Sequence, residues 1–259
     1  MHLPSPSPPK GLDSFPYLRN AQRHETLTPH RSRPFGLWIW VVCLGLTLGW
    51  DASGADLRVM AWLGDAQGFA LRDHWWLSNV LHEGAKRLAV VLYLALLWTA
   101  VSPWGPWRQA PRLQRLEIVM GITLSLMLVS ALKRVSMTSC PWELQSFGGA
   151  ATYVSHWSWG TSDGGGGHCF PGGHASSAMA FVAMSLPWLA SQQAQEQRKG
   201  WVWLVAIVLT GLLLGAAQTL RGAHYPSHTA WTALICAATA WANHQVFRRL
   251  KQSTPRLPA

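Results

Sequence analysis

The chain has 259 residues, of which 49% are hydrophobic, 12% are charged and 17 are Trp. So few charges beside so many indoles exclude an ordinary soluble domain and fit a membrane protein, whose Trp side chains settle at headgroup level. The formal charge of +10 comes with no aromatic-basic groove or nucleic-acid motif, so nucleic acid is not an expected partner.

In chain order, residues 1–34 are rich in Pro, Ser, His and Arg without apolar periodicity and read as a disordered basic cytoplasmic tail. Six apolar runs follow: Phe35–Trp50, Leu88–Val101, Ile118–Leu132, Ala175–Ala190, Trp201–Ala217 and Thr229–Val246. Several fall short of the ~20 residues that cross a ~30 Å hydrocarbon core and must borrow flanking Trp, Gly and Ser. Each run alone fits a buried helix of a soluble protein. In series, with charges confined between them, they predict an all-α integral membrane bundle of six transmembrane helices over residues 35–247. A signal peptide competes for the first run, because the small residues Ser53-Gly54-Ala55 follow it. Asp51–Arg87 mixes Trp62, Phe69, Trp75, Trp76, Leu77 and Val80 with polar residues, which predicts interfacial helices in the first outer loop. Lys133–Gly173 contains Gly148-Gly149 and Gly164–Gly167, which predicts an irregular, mobile segment. Residues 248–259 read as a second basic cytoplasmic tail.

Charge placement predicts orientation. If both termini and the Pro103–Arg115 and Ser191–Gly200 loops share one side, that side holds 14 of the 21 Lys and Arg but only four of the 11 acids. The positive-inside rule makes it cytoplasmic. Three other segments then emerge together on the far face, periplasmic in a bacterial inner membrane, and they carry the chemistry.

Lys133 and Arg134 end the third run. A basic pair there is an ordinary anchor or dipole partner, and equally a source of cations for a phosphate. Phe170-Pro171-Gly172-Gly173-His174-Ala175 opens the fourth run, where glycines let an anion approach bare amides. Arg221-Gly222-Ala223-His224-Tyr225-Pro226-Ser227-His228 opens the sixth, with His224 and His228 on one helical face. That spacing also suits a metal, and His74, His82, His156 and His168 share the outer side. No HExxH or paired-carboxylate arrangement accompanies them, so no metal or other cofactor is expected.

Together these segments resemble the type 2 phosphatidic acid phosphatase family, which shares its site with vanadium haloperoxidases. The family pattern runs Lys, six residues, Arg-Pro; then Pro-Ser-Gly-His; then Ser-Arg, five residues, His, three residues, Asp. Lys133 and Pro141 match the first part, Pro171, Gly173 and His174 the second, and His224 the third. The resemblance covers about Leu88 to Val246. Cys140, Gly172, Gln218 and His228 stand where the family has Arg, Ser, Arg and Asp.

The resemblance implies in-line phosphoryl transfer. His224 attacks phosphorus, His174 protonates the leaving oxygen, and water cleaves the phosphohistidine with His174 as base. It further implies that Lys133, Arg221 and the amides of Gly172 and Gly173 hold the phosphate oxygens. Arg134 would stand in for the cation missing at Cys140, and His228 would accept a hydrogen bond from the far nitrogen of His224. The expected substrate is a lipid phosphate or diphosphate: phosphatidic acid, phosphatidylglycerol phosphate, a polyprenyl diphosphate or a lipid A phosphate. A phosphotransferase using the same site and a catalytically inactive relative are the alternatives. From a different class, a transporter or membrane scaffold would need intramembrane charges along a path, and Glu117 is the one acid near a span. Of four cysteines, Cys43 and Cys236 fall in apolar runs, whereas Cys140 and Cys169 lie on the oxidising face. A Cys140–Cys169 disulfide is expected there, two free thiols being the alternative.

Overall fold

The computed structural model describes residues 35–253, so the residue 1–34 tail and residues 254–259 lie outside the described residues. The chain splits into two compact units, Met1–Ile39 and Trp40–Ala259. The described part of the first is the opening of one helix, and the features below belong to the second.

Helix α1 (Phe35–Ala52) turns into α2 (Ala55–Leu63) through a 69° bend. The bend is local: Gly54 takes φ 65°, a left-handed conformation that costs glycine nothing. Two short antiparallel strands, β1 (Gly64–Asp65) and β2 (Gly68–Phe69), follow. The chain then enters a π-helical run, Trp76–Gly84, continuous with α3 (Ala85–Val101). Helix α4 spans Arg112–Val135. Helix α5 (Gly173–Met179), a 3-10 segment (Ala180–Met184) and α6 (Ser185–Leu189) form a broken rod, and α7 (Ala194–Leu220) and α8 (Pro226–Ser253) complete the bundle.

The architecture is mostly helical, as expected. Among the described residues, three helices, Trp76–Val101, Arg112–Val135 and Ala194–Leu220, are long and apolar enough to cross a membrane by length and composition, or four if the bent α1–α2 pair is one span. The fourth apolar run is broken into short segments. The sixth makes a 28-residue helix that Thr, His and Asn leave too polar to qualify. In the first outer segment, Trp76, Leu77 and Val80 lie in a helix that runs unbroken into α3 and is one of those long and apolar enough to cross a membrane. Residues 248–253 continue α8.

The core lies among α4, the α5–α6 rod, α7 and α8, around Ile118, Ile122, Met179, Phe181 and Cys236. One end of the bundle is locked by Glu117, fully buried on α4. Its carboxylate takes His244 Nδ1 at 2.5 Å and Lys251 Nζ at 2.5 Å, both from α8. A buried acid already paired to two bases is a brace between helices. The other end collects the last turns of α4 and α7 and the first turns of α5 and α8.

Lys133–Gly173, expected to be mobile, is pinned instead. The buried Asp163 carboxylate accepts the backbone N–H of Ser139 at 2.6 Å, its hydroxyl at 2.8 Å and the N–H of Gly165 at 3.0 Å. Glu143 accepts the N–H of Cys140 at 2.7 Å, and Cys140 is joined to Cys169. Carboxylates that accept several amides hold glycine-rich chain that has no side chains of its own to pack.

Candidate active site

Four elements deliver the site. Lys133 sits in the last turn of α4, and its Nζ would lie 3.4 Å from a Cβ placed on Gly173. Glycine at 173 therefore lets the ammonium lie close against the start of α5, beside His174. The His174 and His224 rings stand 6.3 Å apart, centroid to centroid, and Lys133 acts electrostatically on both. His224 is placed by the tight connection between α7 and α8. Gly222 there has φ 75°, Ala223 N–H donates to Gln218 O at 2.9 Å, and Trp142 N–H donates to Gly222 O at 2.9 Å.

His224 is almost completely buried. Burial, with Lys133 and His174 adding to it, pushes its imidazole well below the usual histidine range. The ring is therefore neutral and holds a free lone pair on one nitrogen. Its Nδ1 lies 3.3 Å from Cys169 Sγ. That sulfur belongs to the Cys140–Cys169 disulfide and carries no proton, so in this contact Nδ1 is the donor and the lone pair is left on Nε2.

The disulfide thus holds the position expected of His228. The His224 and His228 rings are 5.7 Å apart, and neither nitrogen of His228 makes a well-formed hydrogen bond, although the Cys169 backbone acts on the ring. His228 serves instead as a packed ring, edge-on to Tyr225 at 5.0 Å and Phe170 at 5.2 Å. Its carbonyl receives the Gly172 N–H at 3.3 Å and the Thr232 hydroxyl at 2.7 Å. The Gly172 amide is accordingly committed to the fold and not open to an anion, a second departure from expectation.

Arg221 is buried and directed by its own helix end. Its Nε donates to Arg72 O at 2.8 Å and its Nη1 to Gln218 Oε1 at 3.3 Å. Gln218 stands at the family's arginine position and here orients an arginine one turn later. Arg134, expected to supply a cation, is exposed, since the residue after Lys133 points ~100° around the helix. The charges that reach His174 are instead those of His82, Lys133, Lys86 and Arg221.

Two features had no sequence prediction. His82, from the π-helical run, stacks on His174 with centroids 3.7 Å apart and lies 2.9 Å from Glu83. Its one legible signal was being a histidine on the outer side, and π-turns recur at functional sites. The second feature is a pair of buried aspartates. Asp51 Oδ2 accepts Trp231 Nε1 at 2.8 Å, Trp157 Nε1 at 3.1 Å and contacts His156 Nε2 at 3.2 Å. Asp56 accepts Trp50 Nε1 at 2.8 Å, Ser227 N–H at 3.1 Å and the Ser227 hydroxyl. Among the described residues, one group, Cys140, Cys169 and His224, has the spacing of a metal site. Its two sulfurs are bonded to each other and so are not the thiolates that ligate metal.

A buried neutral imidazole, a second imidazole beside it and a lysine at the same helix ends form a site for phosphoryl chemistry. The sequence model of the PAP2 superfamily matches residues 115–252, just over half of the chain, and the chain belongs to that superfamily. Its members are generally phosphatases, and the apolar helices mark this one as membrane-associated. No curated protein and no solved structure matches.

Proposed function

We propose that the chain is a six-span membrane phosphatase that hydrolyses a lipid phosphate or diphosphate monoester at the non-cytoplasmic face of a bacterial inner membrane. The observation that carries this reading is the meeting of His174, His224 and Lys133 at one end of the bundle. The basic residues concentrate toward the other end, which supports cytoplasmic termini.

His224 Nε2 attacks phosphorus while the bond to the ester oxygen breaks, and the leaving oxygen takes its proton from His174. Burial and cationic neighbours hold the pKa of that imidazole down to about 3 before substrate binds, and it takes up the proton when the negatively charged phosphate binds beside it. Lys133 and Arg221 balance the charge on the equatorial oxygens, the electrostatic part that dominates phosphoryl transfer. Water then gives a proton to His174 and attacks phosphorus. The P–N bond breaks, its electron pair returns to Nε2, and free phosphate leaves. Protons balance over the cycle, since His174 regains what it gave.

The test is phosphate release from a panel of lipid mono- and diphosphates by the purified protein. His224→Ala should abolish turnover on every substrate, whereas His174→Ala should hurt most where the leaving alcohol is poor. Equal activity in His224→Ala and wild type would sink the mechanism. Outside labelling should reach Ser162→Cys but not Ser253→Cys, and the reverse result would overturn the orientation.

A further inference from the structure

Cys140, Cys169 and His224 come from three separate segments, the chain after α4, the chain before α5 and the turn before α8, and they meet at one point. Their ligand atoms, two Sγ and one imidazole nitrogen, all lie within 4.8 Å of one another, with Cys169 and His224 buried and Cys140 half-buried. The nitrogen turned to the sulfurs is Nδ1, 3.3 Å from Cys169 Sγ, so the cluster lies behind the nucleophile, away from Nε2. A tetrahedral Zn²⁺ with Zn–S of ~2.3 Å and Zn–N of ~2.0–2.1 Å sets sulfur and nitrogen about 3.5 Å apart and two sulfurs about 3.8 Å apart. The Cys169–His224 pair already stands close to that separation. In the oxidised chain the sulfurs are spent on each other. A dithiol reductant changes that. It gives two electrons and two protons to the Cys140–Cys169 bond, becomes a disulfide itself, and leaves two thiols free to part. Charge then favours zinc. Zn²⁺ with two thiolates and a neutral imidazole carries no net charge, which suits a buried point within reach of the Lys133 ammonium. Thiolate ligands also select zinc over hard cations such as Mg²⁺ and Ca²⁺.

We propose that the reduced chain binds one Zn²⁺ between Cys140, Cys169 and His224, and that this metal switches the site off. Binding releases the two thiol protons to solvent. Nδ1 gives its lone pair to the metal, so the imidazole proton passes to Nε2, and the nitrogen left for phosphorus no longer has a pair with which to attack. The metal site stands on its three ligands alone, and only its effect on turnover rests on the phosphatase reading.

The test loads the full chain in detergent with Zn²⁺ or Co²⁺, before and after anaerobic reduction by a water-soluble phosphine. After reduction, one Zn²⁺ per chain should stay bound through gel filtration. Co²⁺ in its place should show thiolate-to-cobalt charge transfer and the visible absorption of a tetrahedral ion. The oxidised chain, which has the same histidines, should show neither. His224→Ala should weaken zinc binding by the reduced chain at least tenfold. Zinc should cut turnover of the reduced chain at least tenfold, and a chelator should restore it. Equal metal binding in both redox states, no charge-transfer band, or unchanged zinc affinity in His224→Ala would each overturn the proposal, as would turnover that bound zinc does not slow. Absence of turnover in every state, with zinc bound by the reduced chain alone, would count against the phosphatase reading and not against the metal site.

Discussion

Asp56 is far from the family motifs in sequence, yet substituting it should disable the nucleophile. Its carboxylate accepts the N–H and hydroxyl of Ser227 and the indole N–H of Trp50. Ser227 is the second residue of α8 and lies three residues after His224, so Asp56 supplies from a distance the cap that Tyr225, just before the helix, cannot. Asp56→Ala leaves the Ser227 N–H buried and unpaired at ~1–3 kcal/mol, while the indole of the exposed Trp50 and the Ser227 hydroxyl can turn to other acceptors. It also removes a negative charge at a helix N-terminus, worth ~0.3–1 kcal/mol. The sum is about 2.5 kcal/mol, which for a chain of this size lowers Tm by about 5–10 °C. Asp56→Asn keeps an oxygen for the two N–H donors and offers its amide to the Ser227 hydroxyl, so it should cost about 1–2 kcal/mol and 2–8 °C. Thermal unfolding in detergent reads the first effect. Phosphate release reads the second, where a shift of about 1 Å in His224 costs on the order of 100-fold in kcat. Asp56→Ala with an unchanged Tm and unchanged kcat, or Asn as damaging as Ala, would refute the reasoning.

Other substitutions separate ring packing from chemistry. His228→Phe replaces a fully buried ring whose two nitrogens make no well-formed hydrogen bond, so Tm should hold or rise and turnover should survive. Loss of turnover in that variant would restore a catalytic role for His228. His82→Ala should lower kcat at least tenfold and shift the acid limb of the pH profile, while His82→Phe should keep the stack on His174 and recover part of kcat. Reduction of the Cys140–Cys169 bond should lower Tm by the equivalent of about 3.6 kcal/mol for a closed loop of this length and should slow turnover, because the freed Cys169 thiol is no longer held against Nδ1 of His224. The pH dependence of stability follows from burial. His224 and His156 are both held below their ordinary range, so the unfolded chain binds more protons than the folded one below about pH 6.5. Stability should be fully present above that pH and fall as pH drops through it, by ~1.4 kcal/mol per unit for each group. A Tm that rises between pH 7 and pH 5 would contradict it.

What was legible in the sequence was whatever a short window carries. Lys133, the Pro171–His174 stretch and the Arg221–His224 stretch could be read because each is written within a few residues at a helix end. The apolar runs could be read because α4 and α7 are apolar throughout their middles. The readings that failed depended on partners far along the chain. Gly172 looked like an open amide until His228, 56 positions later, supplied a carbonyl for it. His228 looked like the tautomer-setting acceptor because it occupies the aspartate position, yet the disulfide sulfur of Cys169 reached His224 first. Asp51 and Asp56 gave no motif at all, since their partners, Trp50 apart, lie more than 100 residues away on elements that only the fold brings near. The two groups of residues therefore do different work. On the proposed reading, the locally written residues make the phosphoryl chemistry. The distant ones, Asp56, His82, Glu143 and Asp163, hold those few side chains in register, and substituting them is the sharper test of the fold because no motif foretells their importance.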